Sequence, residues 1–225
     1  MASDDHLLQR VAEDAASELE RFCAARGLTY ANERDHLAKC CRTVTTRIAA
    51  ALEPPIALSP NAFGDRHGWI GLGGVDLVCR WADRPPTFLE LKCGAGKSAL
   101  RPCVWDAVKL STAVLGRNAC SGYLLAGAPV SDWAARVPGA EFFDSAEWET
   151  LGPDVRERFL SDWRFWESEA TPHIPGRVAG RFTTVALGSF PLTIGTTGWE
   201  LRLARVEPSA DWVAWLPILR RDSDN

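Results

Sequence analysis

Apolar and polar positions alternate in ways that divide the chain into a helical front, a strand-rich middle and a mixed end. From Asp5 to about Arg26, Leu7, Leu8, Val11, Ala15, Leu19 and Phe22 recur at three- and four-residue steps, with Gly27 as a stop. That spacing predicts an amphipathic helix. A second helix is predicted from about Asn32 to Leu52 on the stripe Leu37, Cys41, Val44, Ile48 and Leu52, ended by Pro54-Pro55. Residues 56–67 read as a loop, Gly68–Leu72 as a first strand, and Gly73-Gly74 as a tight turn. Two apolar runs follow, Val75–Trp81 and Thr87–Lys92, joined by a turn over Ala82–Pro86. They predict a β-hairpin.

Beyond the hairpin, Cys93–Ser98 reads as a polar loop, and Pro102 opens a helix over Cys103–Leu115. Gly122–Ala126 is a short apolar run that suits a buried strand. Strand, crossover helix and strand of this length predict a parallel pair. Asp144 to about Glu169 reads as a broken, Trp-rich helix. Arg177–Ala186 and Trp199–Val206 read as strands, with turns near Gly188–Pro191 and Gly195–Gly198. The expectation is an α/β fold: a mixed sheet with two N-terminal helices and a β-rich C-terminal extension. Residues 1–135 would form the core and residues 136–225 the extension packed on it.

Composition changes this picture in three ways. The 225 residues carry a formal net charge of −4, which argues against a broadly basic nucleic-acid coat but leaves room for a local basic groove. The seven cysteines form no CxxC pair and several lie in apolar runs, as expected of reduced, buried thiols in a cytoplasmic protein rather than of a disulfide frame or zinc site. The polar, acidic start does not resemble a signal peptide, and no apolar run is long enough for a membrane span. Lysine is rare: of 25 cations only Lys39, Lys92, Lys97 and Lys109 are Lys, and three of them fall in one short segment. A compact ammonium whose pKa responds to burial does there what Arg cannot.

The candidate chemistry lies in the hairpin. Asp76, Glu90 and Lys92 interrupt runs that would otherwise be buried, and a buried charge needs a partner or a metal ion. Glu90 and Lys92 share a face by strand alternation. A turn centred on Arg84 makes paired residue numbers sum to 168, setting Asp76 opposite Lys92 and Val78 opposite Glu90. Asp76 then joins the same face; a one-residue slip would split the set. Two carboxylates beside an ammonium suit Mg²⁺-assisted phosphodiester hydrolysis.

Gly74-Val75-Asp76-Leu77-Val78 with Phe88-Leu89-Glu90-Leu91-Lys92 resembles the core of the PD-(D/E)XK nuclease superfamily, the restriction-endonuclease-like fold. Trp105-Asp106-Ala107-Val108-Lys109-Leu110 is similar to the Asp-x-x-Lys-Leu element that often follows there. The resemblance covers about residues 68–128, and Val75 replaces the family's Pro. It implies a helix–three-strand–helix–strand core and a DNA-cleaving activity dependent on Mg²⁺, or on Mn²⁺ in its place. Asp76, Glu90 and the Leu91 main-chain carbonyl would bind the metal, Lys92 would serve the water, and Lys109 would stand beside the site. Many members add a helix Glu, for which Glu18, Glu20 and Glu33 are all candidates. One alternative is a non-catalytic member of the fold that binds protein or nucleic acid, with the Trp-rich C-terminal part as an oligomer or partner surface. Another is a phosphate loop at Gly94–Ser98, disfavoured because Leu91 stands where the motif needs Gly.

Overall fold

The computed structural model of the chain describes residues 4–29, 34–52, 57–59, 75–81, 84–97, 99–115, 119, 121–145, 147–149, 178–179, 181–210 and 213–214. The predicted strand at Gly68–Leu72, the Gly73-Gly74 turn, Glu33 and the Trp-rich stretch beyond Glu149 lie outside these residues.

The helical front forms as α1 (Asp4–Arg26) and α2 (Arg34–Ala51). The middle gives β1 (Ala57–Ser59), β2 (Leu77–Arg80), β3 (Thr87–Cys93), α3 (Cys103–Leu115) and β4 (Ser121–Pro129). A short helix α4 (Val130–Ala134) and a 3-10 turn at Ala140–Phe143 follow. The remaining strands are β5 (Glu147–Glu149), β6 (Val178–Ala179), β7 (Arg181–Ile194), β8 (Thr197–Pro208) and β9 (Val213–Ala214).

Seven strands form one mixed sheet, in the order β1-β2-β3-β4-β8-β7-β5, and β6 pairs with β9 in a separate two-stranded sheet. Among the described residues only β3 and β4 run parallel, joined by α3; the other neighbouring strands of this sheet are antiparallel. Two apolar layers follow from strand alternation. Leu77, Leu89, Leu91, Tyr123, Leu125, Leu201 and Leu203 face α1 and α2. Val78, Phe88, Leu124, Ala126, Ala204 and Val206 face the α3 side. The class is therefore α/β, helices on both faces of a mixed sheet. No helix among the described residues is long and apolar enough to cross a membrane.

Four local expectations are corrected. Ala57–Ser59, expected in a loop, pairs antiparallel with β2 as the sheet's edge strand β1; three residues are too few to carry a strand pattern. Glu147–Glu149, expected in a helix, pairs with β7. The expected turn at Gly188–Pro191 is absent: β7 runs through it, absorbing one extra residue as a bulge between Ala186 and Gly188. Pro191 is tolerated because, among the described residues, β5 pairs with Arg181–Thr183 and no strand flanks β7 on that side at Pro191. The real reversal is the two-residue turn after Ile194, where Gly195 adopts φ 62°.

The fourth correction is the hairpin register. Leu77 pairs with Leu89, Val78 with Phe88 and Cys79 with Thr87, so paired numbers sum to 166 rather than 168. Val78 does not oppose Glu90, and Asp76, one residue beyond the ladder, projects opposite Glu90 rather than Lys92. Side chains tie down the base of β3. The Thr87 hydroxyl meets Asp4 Oδ2 at 3.0 Å and Ser121 Oγ at 3.0 Å, and accepts the Trp81 indole N–H at 3.0 Å. The two-residue slip preserves side-chain parity, so Asp76, Glu90 and Lys92 still meet.

Candidate functional site

Glu90 and Lys92 project from β3 into the layer covered by α3. The buried stripe of α3 is Cys103, Asp106, Ala107, Lys109, Leu110 and Ala113, so two charged side chains stand among apolar ones. They meet the β3 charges. Lys109 Nζ lies 2.5 Å from Glu90 Oε1 and 3.0 Å from Asp106 Oδ1. Lys92 Nζ lies 2.6 Å from Asp106 Oδ2. Glu90 Oε1 and Asp106 Oδ2 are fully buried, and neither accepts a well-aligned hydrogen bond. The two ammonium groups are their close partners.

Asp76 closes the group from the end of β2. Its Oδ2 accepts the Leu91 N–H at 2.9 Å, its Oδ1 pairs with Arg42 Nη2 from α2, and its carboxyl is in hydrogen-bond contact with Glu90. Lys92 Nζ is 3.3 Å from the Leu91 carbonyl, 3.7 Å from Asp76 Oδ2 and 3.9 Å from Glu90 Oε2. The three oxygens expected to bind a metal thus converge on one positive point, which the ammonium fills. An all-oxygen donor set of this kind suits a hard cation such as Mg²⁺. Among the described residues no set of three or more His, Cys, Asp and Glu side chains is arranged to hold a metal between them; the set here is two carboxyls and one main-chain carbonyl.

Burial, then the Asp106 charge, push the Glu90 carboxyl up to about 8, against the pull of Lys109 and Lys92. A protonated Glu90 can donate to Asp76, which explains their contact. Burial also opposes ionisation of Asp76, yet Lys92, the Glu90 hydrogen bond, the Leu91 N–H and Arg42 hold its pKa below the usual value. Burial works against the Lys92 charge, but Asp106, then Glu90 and Asp76, raise its pKa overall. Lys109 is raised in the same way, by Asp106 and then Glu90.

Among the helix glutamates, Glu18 pairs with Arg21 on the surface of α1 and Glu20 accepts the Thr193 N–H of β7. The N-terminal helices reach the site through Arg42 instead. Sequence reasoning missed Arg42, whose only signal is its place beside Cys41 on the apolar stripe. It also gave no role to Asp106, although an Asp and a Lys three apart on an otherwise apolar stripe signal a buried pair. Comparison with family models, with curated proteins and with solved structures returned no match.

Proposed function

We propose that the chain hydrolyses phosphodiester bonds of nucleic acid, with Mg²⁺ or Mn²⁺ held by Asp76, Glu90 and the Leu91 carbonyl. The observation that carries this reading is the convergence of those three oxygens on the Lys92 ammonium, at 3.3, 3.7 and 3.9 Å. DNA as the substrate comes from the resemblance to the PD-(D/E)XK nucleases. The order α2, β1–β2–β3, α3, parallel β4 supports a restriction-endonuclease-like core.

A bound divalent ion supplies a Lewis acid for the phosphate and lowers the pKa of a coordinated water. The protein's own groups divide the remaining work. Lys109 holds Glu90 Oε1 and leaves Oε2 facing the site. The Leu91 N–H fixes the Asp76 carboxylate. Asp106 is the nearest carboxylate to Lys92, at 2.6 Å, so the ammonium can draw back from these oxygens without losing its partner. Lys92 then orients the attacking water and offsets the negative charge that builds on the phosphate.

One observation favours a second reading. Glu90 with Lys109 and Asp106 with Lys92 are already paired within the protein. Such closed pairing suits a non-catalytic member of the fold that binds nucleic acid or a protein partner. A cleavage assay on single- and double-stranded DNA and RNA with Mg²⁺ or Mn²⁺ separates the two. Wild type is expected to cleave DNA, and Lys92→Ala to lose about 100-fold or more of the rate. Wild type that neither cleaves nor takes up Mg²⁺ in a titration calorimeter overturns the catalytic reading.

A further inference from the structure

We propose that Arg42 is a phosphate-binding residue at the mouth of the site, gripping a backbone phosphate of the nucleic acid with N–H groups that Asp76 leaves unused. The proposal rests on the nucleic-acid reading above and adds to it a contact from the N-terminal helices, outside the segment that carries the family resemblance.

Exposure locates the mouth. Side-chain exposure rises from Glu90 at 2% and Asp106 at 3%, through Lys109 at 8%, Asp76 at 16% and Lys92 at 22%, to Arg42 at 39%. The set is closed beneath α3 and open toward α2. An arriving phosphate meets Arg42 and Lys92 first and Lys109 last.

Arg42 is also only partly used. A guanidinium presents five N–H donors in a planar fork, matched to two oxygens of a carboxylate or phosphate. Here Nη2 alone meets Asp76, on Oδ1, and Nε is buried with no hydrogen-bond partner. The second Asp76 oxygen accepts the Leu91 N–H rather than an Arg42 donor. As placed, Asp76 engages one arm of the fork and leaves Nε without a partner. A phosphate arriving at the exposed end of the guanidinium can engage Nη1 and the second Nη2 hydrogen without displacing the Asp76 contact.

Charge points the same way. Asp76, Glu90 and Asp106 face Arg42, Lys92 and Lys109, three carboxyls against three cations. Adding a divalent cation to this set leaves an excess of positive charge that phosphate oxygens offset.

The test measures binding and cleavage together. Fluorescence anisotropy of a labelled DNA oligonucleotide, with Ca²⁺ in place of Mg²⁺ to hold turnover off, gives Kd across a salt series; cleavage with Mg²⁺ gives kcat and KM. Arg42→Gln is expected to raise Kd about tenfold, to lower the salt slope by about one, and to act on KM more than on kcat. Arg42→Lys, which keeps the charge without the fork, should fall between, and it replaces the Gln variant if circular dichroism finds that one unfolded. The same loss is expected from Arg42→Gln in an Asp76→Asn background. No loss there means that Arg42 serves only Asp76, and overturns the proposal. So does an unchanged Kd and slope in a wild-type background that binds or cleaves. Binding without cleavage, weakened by Arg42→Gln, keeps Arg42 and removes the nuclease. A wild type that neither binds nor cleaves removes both.

Discussion

Glu90 is a carboxyl placed where ionisation is costly. It is almost fully buried, and its neighbours are Asp76, Asp106, Lys92 and Lys109, with Arg42 beyond Asp76. Its folded pKa of about 8 stands above its ordinary value of 4.5. Between those values the folded chain holds a proton that the unfolded chain has released, so stability falls as pH rises. The contribution is fully present below about 4.5 and is lost as pH passes about 8. Asp76, held below its ordinary 3.8, acts only in acid, and Lys92 and Lys109, held above 10.5, act only in strong base. The metal-free wild type is therefore expected to show a thermal midpoint that falls from about pH 5 to about pH 8.5, and Glu90→Gln to flatten that slope. A metal ligand must be deprotonated, so stabilisation by added Mg²⁺ should grow over the same range. Midpoints read by circular dichroism at fixed ionic strength check both statements.

Helix α3 delivers Lys109 and Asp106 to the site only because it lies close against β4. At Gly122 a Cβ would stand 2.8 Å from Leu110 Cβ, nearer than side chains pack. Gly122→Ala is expected to lift this end of α3, costing about 1–3 kcal/mol in urea denaturation, and to weaken the Lys109–Glu90 contact with a drop in cleavage. The helices were legible in the sequence because each buries one stripe against one layer: α3 occupies its predicted span, Cys103–Leu115. The site was legible in part, because strand alternation alone puts Glu90 and Lys92 on one face. The hairpin register was not: a turn centred on Arg84 and the observed pairing, two lower in sum, keep the same side-chain parity, so the apolar pattern does not tell them apart. Nor was the unbroken course of β7 through Gly188 and Pro191, where cross-strand pairing with β8 overrides local turn chemistry. Arg42 was invisible because its partner Asp76 is 34 residues distant.

At the scale of the whole molecule, the late strands β7 and β8 complete the main sheet, and α1 covers it. β4 is central, parallel to β3 on one side and antiparallel to β8 on the other through the pairs from Gly122 with Val206 to Pro129 with Trp199. Asp5 of α1 pairs with Arg205 of β8, and Gln9 donates to the Leu187 carbonyl of β7. A fragment ending at Ala135 would leave the edge of β4 unpaired and half of the α1 contact surface missing. It is expected to be unfolded or aggregated in circular dichroism and size-exclusion chromatography, whereas a self-sufficient core would give a monomer with native-like signal. The position of β8 also bears on timing. A chain leaves the ribosome from its N-terminus, so Asp76, Glu90, Lys92 and Lys109 all emerge while the strand that closes β4 is still unmade. The sheet that carries the charged cluster therefore stays incomplete until that late segment arrives, whatever the cluster does.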